Sequence, residues 1–142
     1  MNYLDSLYWI HERTKFGIKP GVKRMEWMLE RLGHPERHIR GIHVGGTNGK
    51  GSTVAYLRAA LNDNGYTVGT FTSPFIETFN ERISIDGQPI SDDAIVDLVQ
   101  KVKPVSEELE QETELGTATE FEIITTMMYL CLLYTSPSPR DS

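Results

Sequence analysis

Residues 43–53 read HVGGTNGKGST and combine the residue types that bind a phosphate chain. Glycines let the backbone approach a ligand closely and adopt positive φ angles, so several N–H groups can point at one anion. Lys50 supplies a cation in the same turn, and the hydroxyl of Ser52 can bind a magnesium ion. The stretch therefore predicts a phosphate-binding loop. The alternative is a glycine turn that carries a solvated lysine.

The spacing of this loop differs from the common phosphate-loop pattern G-x-x-x-x-G-K-[ST]. Only three residues separate Gly45 from Gly49, and Gly51 stands between Lys50 and Ser52. The hydroxyl therefore comes one position late. This difference makes an ordinary kinase or GTPase a less favoured interpretation.

A phosphate-binding loop needs a strand before it and a helix behind it, and the flanking residues predict both. Residues 41–44 predict a short buried strand, residues 53–64 a helix that ends at Asn64-Gly65, and residues 66–71 a second strand. The start of a helix attracts anions because its N–H groups are unpaired. A strand, loop, helix and strand in this order predict an α/β fold with a mostly parallel sheet flanked by helices.

The rest of the chain predicts further helices and one more strand. In chain order these are helices 3–13 and 22–32, strand 82–86, a helix after Ser91 that Pro104 interrupts, and a helix from about Thr119 through Leu130. Gly33 is expected to end the second helix, and Asp86-Gly87 is expected to form a tight turn. The acidic residues after Pro104 are expected to form a solvated helix end or loop.

Composition limits the classes of function. The chain of 142 residues has 20 acidic and 14 basic residues and a net charge of −6, which argues against a nucleic-acid-binding protein. It does not exclude an anionic ligand, because backbone N–H groups and one lysine can bind phosphate. The most apolar run, 123–134, is too short and too polar to span a membrane. Cys131 is the only cysteine, which favours the cytoplasm.

Several motifs together resemble one known family. GTNGKGS is similar to the phosphate loop of the Mur-ligase superfamily in its folate branch, the folylpolyglutamate and dihydrofolate synthases. KFGIKPG at 15–21, TSPFIETFNERISIDGQPIS at 72–91 and TATEFEIIT at 117–125 resemble further segments of that family, in the same order. The resemblance covers roughly residues 4–130. It implies that residues 1–130 are an incomplete, Mur-ligase-like ATP-binding domain.

The resemblance implies an ATP-dependent ligase with magnesium as its metal. In this family the γ-phosphate of ATP passes to a carboxylate of folate or dihydropteroate, and the amine of L-glutamate attacks the acyl phosphate. Lys50 is the expected catalytic cation. The residues expected to bind ATP are Gly46, Thr47, Asn48, Gly49, Lys50, Gly51 and Ser52.

The same resemblance assigns metal and substrate residues. Ser52, Ser73 and Glu122 are the expected magnesium ligands. The alternatives are a turn-forming role for Ser73 and a helix-surface charge for Glu122. Phe75 is expected to stack on the pterin ring, or else to anchor its loop in the core. Asn80 and Arg82 are expected to position this loop or the substrate, with a salt bridge to Glu81 as the alternative.

Residues 131–142, CLLYTSPSPRDS, depart from the family pattern. They resemble a translated sequencing adapter and are expected to be non-native, with a genuine Ser/Pro-rich tail as the alternative. Family members are several hundred residues long and monomeric by expectation, so a chain of this length is expected to lack ligase activity by itself. Two other functions stay open: a nucleotide-binding module without catalysis, and a Mur-type ligase that acts on cell-wall precursors.

Overall fold

A computed structural model describes residues 1–16, 21–38, 50–71 and 78–135, without the side chains of 50–56 and 135. Several predictions lie outside the described residues: the strand at 41–44, the loop at 45–49, the roles of Ser73 and Phe75, and the part of the expected non-native segment at 136–142. For Lys50, Gly51 and Ser52 the structure describes the backbone alone.

Helices dominate the described residues. The α-helices are α1 (Tyr3–Glu12), α2 (Val22–Arg31), α3 (Lys50–Asp63), α4 (Asp92–Glu112) and α5 (Glu120–Thr135), and the strands are β1 (Gly69–Phe71), β2 (Ile83–Ile85) and β3 (Gln88–Pro89). Short 3₁₀ helices occupy Arg13–Phe16, Pro35–His38 and Phe79–Arg82. All five predicted helices are confirmed. Gly33 ends α2 with a φ of 84°, as expected for a left-handed cap.

The described strands form a small antiparallel sheet in the order β1-β2-β3. Gly69 pairs with Ile85, and β2 turns into β3 through Asp86 and Gly87, whose φ angles are 51° and 85°. Positive φ at both central residues is what a tight two-residue hairpin requires, so the predicted turn is confirmed. The parallel pairing predicted for residues 41–44 lies outside the described residues and stays a prediction.

The core lies where the long helices meet the sheet. Helix α5 packs on α4, α1 and α2, and also contacts β1. The fully buried apolar side chains include Ile10, Met28, Ile83, Ile95, Val99, Val102, Leu109, Ile123, Ile124 and Met127. Helix α5 has a weak apolar stripe because it is apolar on most sides, which suits a helix surrounded by other elements.

Helix α4 continues through Pro104 to Glu112, so the predicted interruption is wrong. Proline removes one N–H donor and crowds the preceding turn, which costs roughly 3 kcal/mol in an isolated helix. Here α4 buries Val99 and Val102 before the proline and Ser106 and Leu109 after it. Because both halves pack into the same core, tertiary contacts offset the local cost. The acidic residues after Pro104 form the exposed end of this helix, as expected.

Residues 131–135 continue helix α5. Cys131 and Leu132 are buried, and the ammonium of Lys101 lies 4.0 Å from the centre of the Tyr134 ring. The expectation that residues 131–142 are non-native stays a prediction. Within the described part of the chain, no helix is both long and apolar enough to cross a membrane.

Gly69 is predicted to be sensitive to any side chain. A Cβ at this position would lie 2.0 Å from Cδ2 of Leu132, which is buried against β1. Gly69→Ala should therefore lower the free energy of unfolding by about 1–3 kcal/mol through overpacking. Urea denaturation measures this loss. The same substitution made together with Leu132→Ala should cost less than it does alone, and an equal cost in both backgrounds would contradict the packing explanation.

Candidate functional site

Helix α3 begins at Lys50, three residues earlier than predicted. Lys50, Gly51 and Ser52 therefore form its first turn, directly after the glycine-rich loop. The first turn of a helix carries unpaired N–H groups and a partial positive charge, which suit an anion. The backbone thus supplies the helix that the phosphate-loop prediction requires, while the roles of Gly46, Thr47, Asn48 and Gly49 stay predictions.

Glu122 is the carboxylate among the predicted site residues, and it is buried and hydrogen-bonded within the protein. Its side chain is 0% exposed. Nε of Arg24 donates to both of its oxygens, at 2.9 and 3.2 Å. The N–H of Thr119 donates to Oε1 at 2.9 Å, and the N–H of Gly21 donates to Oε2. The alternative that Glu122 is a helix-surface charge is therefore wrong.

Local sequence explains two of these bonds. Thr119 and Glu122 have the T-x-x-E spacing of a capping box, and the N–H of Glu122 donates back to Oγ1 of Thr119 at 3.3 Å. Gly21 is the N-cap residue of α2, so its N–H lies at the start of that helix. One carboxylate thus accepts hydrogen bonds at the starts of both α2 and α5, where negative charge is favourable.

The hydrogen bonds keep Glu122 charged. Burial acts to raise the pKa of Glu122, but the hydrogen bonds from Arg24, Thr119 and Gly21 outweigh it and hold the pKa below its ordinary value. The carboxylate is therefore ionised at neutral pH, as a metal ligand must be.

The chemistry of Glu122 suits magnesium, with one condition. An ionised carboxylate is a hard oxygen donor of the kind that Mg²⁺ prefers. As placed, three N–H groups bond its oxygens and the charged guanidinium of Arg24 lies beside them, so a metal would compete with a cation that is already there. The structure does not describe the side chain of Ser52 or any part of Ser73. The described residues contain no cluster of three acidic, His or Cys side chains suited to a metal. The three predicted ligands stay a prediction.

Arg24 was not among the predicted site residues, although the charges in the first turn of α2 indicate that it needs an acidic partner. Lys23 and Arg24 lie in the first turn of α2, and that turn has no acidic residue. Cations are unfavourable at a helix start unless an acidic group from elsewhere compensates them. A partner for Arg24 could thus have been expected, but its identity is set by a contact across 98 positions of sequence.

The side-chain amide of Asn80 is hydrogen-bonded within the protein. Its Nδ2 donates to the carbonyl of Ile90 at 2.7 Å and to Oδ1 of Asp92 at 2.9 Å. The hydroxyl of Tyr3 donates to its Oδ1 at 2.5 Å. Both amide hydrogens are engaged within the protein, so Asn80 joins the 3₁₀ helix Phe79–Arg82 to α1 and to the start of α4 rather than contacting a ligand with its amide hydrogens.

Arg82 is likewise engaged within the protein. Its Nη1 donates to Glu120 at 2.9 Å, and its guanidinium lies 5.7 Å from the ring centres of Phe71 and Phe79. Glu120 is therefore the ion-pair partner of Arg82, whereas the carboxylate of Glu81 accepts a hydrogen bond from the N–H of Thr78. Glu122 lies in the same helix turn as Glu120, so Arg82 and Arg24 both anchor the start of α5.

Asn80 is predicted to stabilise the fold more than an exposed asparagine does. Asn80→Ala leaves the Ile90 carbonyl and the Tyr3 hydroxyl without partners, and should lower the free energy of unfolding by about 1–3 kcal/mol. Asn64→Ala is the matched control, because Asn64 is exposed and bonds only within its own turn to Ala60. Urea denaturation of both variants checks this. Equal losses for the two would contradict the anchoring role.

Comparison with known proteins gives consistent matches, although no family model matches the chain. The dihydrofolate synthase/folylpolyglutamate synthase of Bacillus subtilis is 59% identical over 128 residues, which are 90% of this chain and 30% of that protein. A solved folylpolyglutamate synthetase from Lactobacillus casei superposes with a TM-score of 0.83 at 42% identity. The superposition covers 93% of this chain and 33% of the solved one. The chain belongs to the folylpolyglutamate and dihydrofolate synthase family.

The family match confirms the Mur-ligase-like α/β fold that the motifs predicted. A further solved member of the family, described as a complex with AMPPCP and folate, superposes with a TM-score of 0.82 at 41% identity, over 93% of this chain and 32% of its own. The chain spans about 30% of the length of the curated synthases that it matches. The activity of a complete synthase is therefore a separate question.

Proposed function

We propose that this chain supplies the phosphate-binding part of an ATP-dependent ligase that adds glutamate to folate or dihydropteroate. The observation that carries the proposal is the 59% identity over 128 residues to a synthase of this activity. The start of α3 at Lys50, directly after the residues GTNG in the chain, supports it, because phosphate binding needs a helix start at this place. The solved relative described with AMPPCP and folate supports both ligands.

The reaction explains why a phosphate loop serves amide synthesis. A carboxylate is a poor acyl donor, so one of its oxygens first attacks the γ-phosphorus of ATP and ADP leaves. The amine of glutamate then attacks the acyl carbon, loses a proton, and phosphate departs with the former carboxylate oxygen. Two anions approach each other in the first step, so cations must neutralise the transferred charge.

Lys50 and the N–H groups of the loop would neutralise the phosphates. Ser52, Ser73 and Glu122 would hold magnesium, which supplies further charge neutralisation when bound. Phe75 would offer its ring to the flat pterin. Asn80 and Arg82 would act by position, because their contacts to Tyr3, Asp92 and Glu120 fix the 3₁₀ helix Phe79–Arg82, which follows Phe75 in the chain.

Substrate choice can be tested with a chimaera in which residues 1–130 replace the matched segment of the Bacillus subtilis synthase. ATP-dependent incorporation of labelled glutamate into dihydropteroate, tetrahydrofolate or both would support the proposal and separate the two activities. ATP binding without incorporation into either would favour a nucleotide-binding module without catalysis. Incorporation into cell-wall precursors alone would favour the other Mur-type ligase. The 142-residue chain by itself is expected to form no product.

We place the complete enzyme in the cytoplasm as a monomer. Cys131 is the one cysteine of the chain, and it lies in the segment 131–142 that is expected to be non-native. Residues 1–130 hold no cysteine and can form no disulfide, which suits a reducing compartment. Gel filtration of the complete protein tests the monomeric state.

A further inference from the structure

The last turn of helix α3 is hydrogen-bonded to the turn between β2 and β3. Nδ2 of Asn62, near the end of α3, donates to Oδ1 of Asp86 at 2.6 Å. The same oxygen accepts from the N–H of Val68 at 2.8 Å, and the N–H of Asp86 donates to the carbonyl of Val68 at 2.7 Å. One carboxylate oxygen therefore joins the end of α3, the residue before β1 and the β2–β3 turn.

Two further contacts hold the same junction together. Nδ2 of Asn62 also donates to the carbonyl of Tyr66 at 2.9 Å, and Nη1 of Arg58 donates to Oδ1 of Asn62 at 3.3 Å. The guanidinium of Arg58 lies over the β2–β3 turn, since a Cβ at Gly87 would be 3.0 Å from its Cζ. These contacts set the orientation of the Asn62 amide, with its nitrogen towards Asp86.

The part of α3 whose side chains the structure describes is only partly buried. None of the side chains at 57–63 belongs to the buried core, although this helix carries Lys50 at its other end. Elements with few buried apolar contacts move more easily than the core does. A hydrogen-bonded junction at the end of α3 can therefore restrict tilting of the whole helix.

We infer that Asn62 and Asp86 are positioning residues for the start of α3. The helix has 14 residues, so its two ends lie about 20 Å apart. A tilt of about 3° at the Asp86 end would move the start of α3 by about 1 Å, and a displacement of that size can impair a reaction that depends on positioning. The inference rests on the proposed function, which places the ATP phosphates at the start of α3.

The test measures steady-state kinetics in the chimaera with the Bacillus subtilis synthase. Asn62→Ala removes the bond to Asp86, and alanine suits a helix. The start of α3 would then occupy its binding position in a smaller fraction of molecules, so the KM for ATP should rise about fivefold to tenfold. The kcat at saturating ATP and the KM for L-glutamate should stay within about twofold, because bound ATP selects the binding position of the helix.

A second substitution at Asn62 tests the same contact in another way. Asn62→Asp keeps the size of the side chain but replaces the donor with a carboxylate that faces Asp86. The two like charges repel each other, so this variant should raise the KM for ATP as Asn62→Ala does.

Two further variants are the controls. Asn64→Ala removes an exposed asparagine whose Nδ2 donates to the carbonyl of Ala60 within its own turn, and it should leave the KM for ATP unchanged. Asp86→Asn keeps an Oδ1 that can accept from Asn62 and Val68, and asparagine tolerates the φ of 51° at this position. It should therefore also retain the KM for ATP.

A raised KM for ATP in both Asn62 variants, with normal values in Asn64→Ala and Asp86→Asn, supports the inference. An unchanged KM for ATP in the Asn62 variants overturns the inference alone, whatever their kcat, because a role in stability alone lowers the amount of folded enzyme and hence the kcat. An equal rise in Asn64→Ala also overturns it. A chimaera that incorporates no glutamate without any substitution overturns the proposed function, and the inference with it.

Discussion

Glu122→Gln should lower the free energy of unfolding of this chain by about 3–5 kcal/mol, which is the usual cost of breaking one side of a buried ion pair. The substitution keeps the shape of the side chain but removes its charge. Arg24 then faces a neutral amide, whose NH₂ group cannot accept from Gly21 or from the Arg24 guanidinium. The starts of α2 and α5 both lose a negative partner. Urea denaturation followed by circular dichroism measures the loss.

The matched control is Glu112→Gln. Glu112 also pairs with an arginine of α2, at 3.0 Å from Arg31, but both side chains are about half exposed. Because water screens exposed pairs, this variant should change the free energy of unfolding by less than about 0.5 kcal/mol. A loss below about 1 kcal/mol for Glu122→Gln would show that the buried pair does not hold α2 and α5 together.

The second large effect concerns catalysis. In the chimaera with the Bacillus subtilis synthase, Lys50→Ala should lower kcat by roughly 10²–10³-fold, which is the range for removing one group that stabilises developing charge. Lys50 is the first residue of α3. Alanine is a good helix former, so the substitution should leave the backbone of that helix intact. The loss should therefore appear as slow phosphoryl transfer with an unchanged melting temperature.

Lys103→Ala serves as the control for Lys50→Ala. Lys103 lies on α4 with its side chain 35% exposed, and it approaches Glu107 only to 4.0 Å. Its removal should leave glutamate incorporation within twofold of the unsubstituted chimaera, by the rule that isolated surface pairs contribute little. Unchanged turnover in Lys50→Ala would mean that the GTNGKGS stretch has been assigned the wrong role.

Local patterns predicted most of the helical structure. The structure confirms the features that short patterns predicted. These are the helices expected at 3–13 and 22–32, the caps at Gly33 and Ser91, and the turn at Asp86-Gly87. These features depend on neighbours within a few residues of one another, which is why a sequence reveals them. The antiparallel pairing of β1 with β2 depends on contacts between separate segments, and only the structure revealed it.

The errors and omissions come from long-range contacts. Pro104 was expected to interrupt α4, but packing on both sides of it keeps the helix continuous. The partner of Arg82 is Glu120, 38 positions away, and the partner of Glu122 is Arg24, 98 positions away. Such contacts are set by how helices pack, and no local pattern specifies them. The family resemblance identified Glu122 as a residue of interest but could not reveal its buried partner.

The proposed function makes this chain part of a ligase that activates a carboxylate as an acyl phosphate. The most direct measurement supplies the chimaera with dihydropteroate or tetrahydrofolate whose reacting carboxylate is labelled with ¹⁸O, together with ATP and glutamate. If the carboxylate attacks the γ-phosphorus, one ¹⁸O atom must appear in the inorganic phosphate for every amide formed, and ADP must be the other product. Amide formation with ¹⁸O in AMP, or with none in the phosphate, would contradict the account.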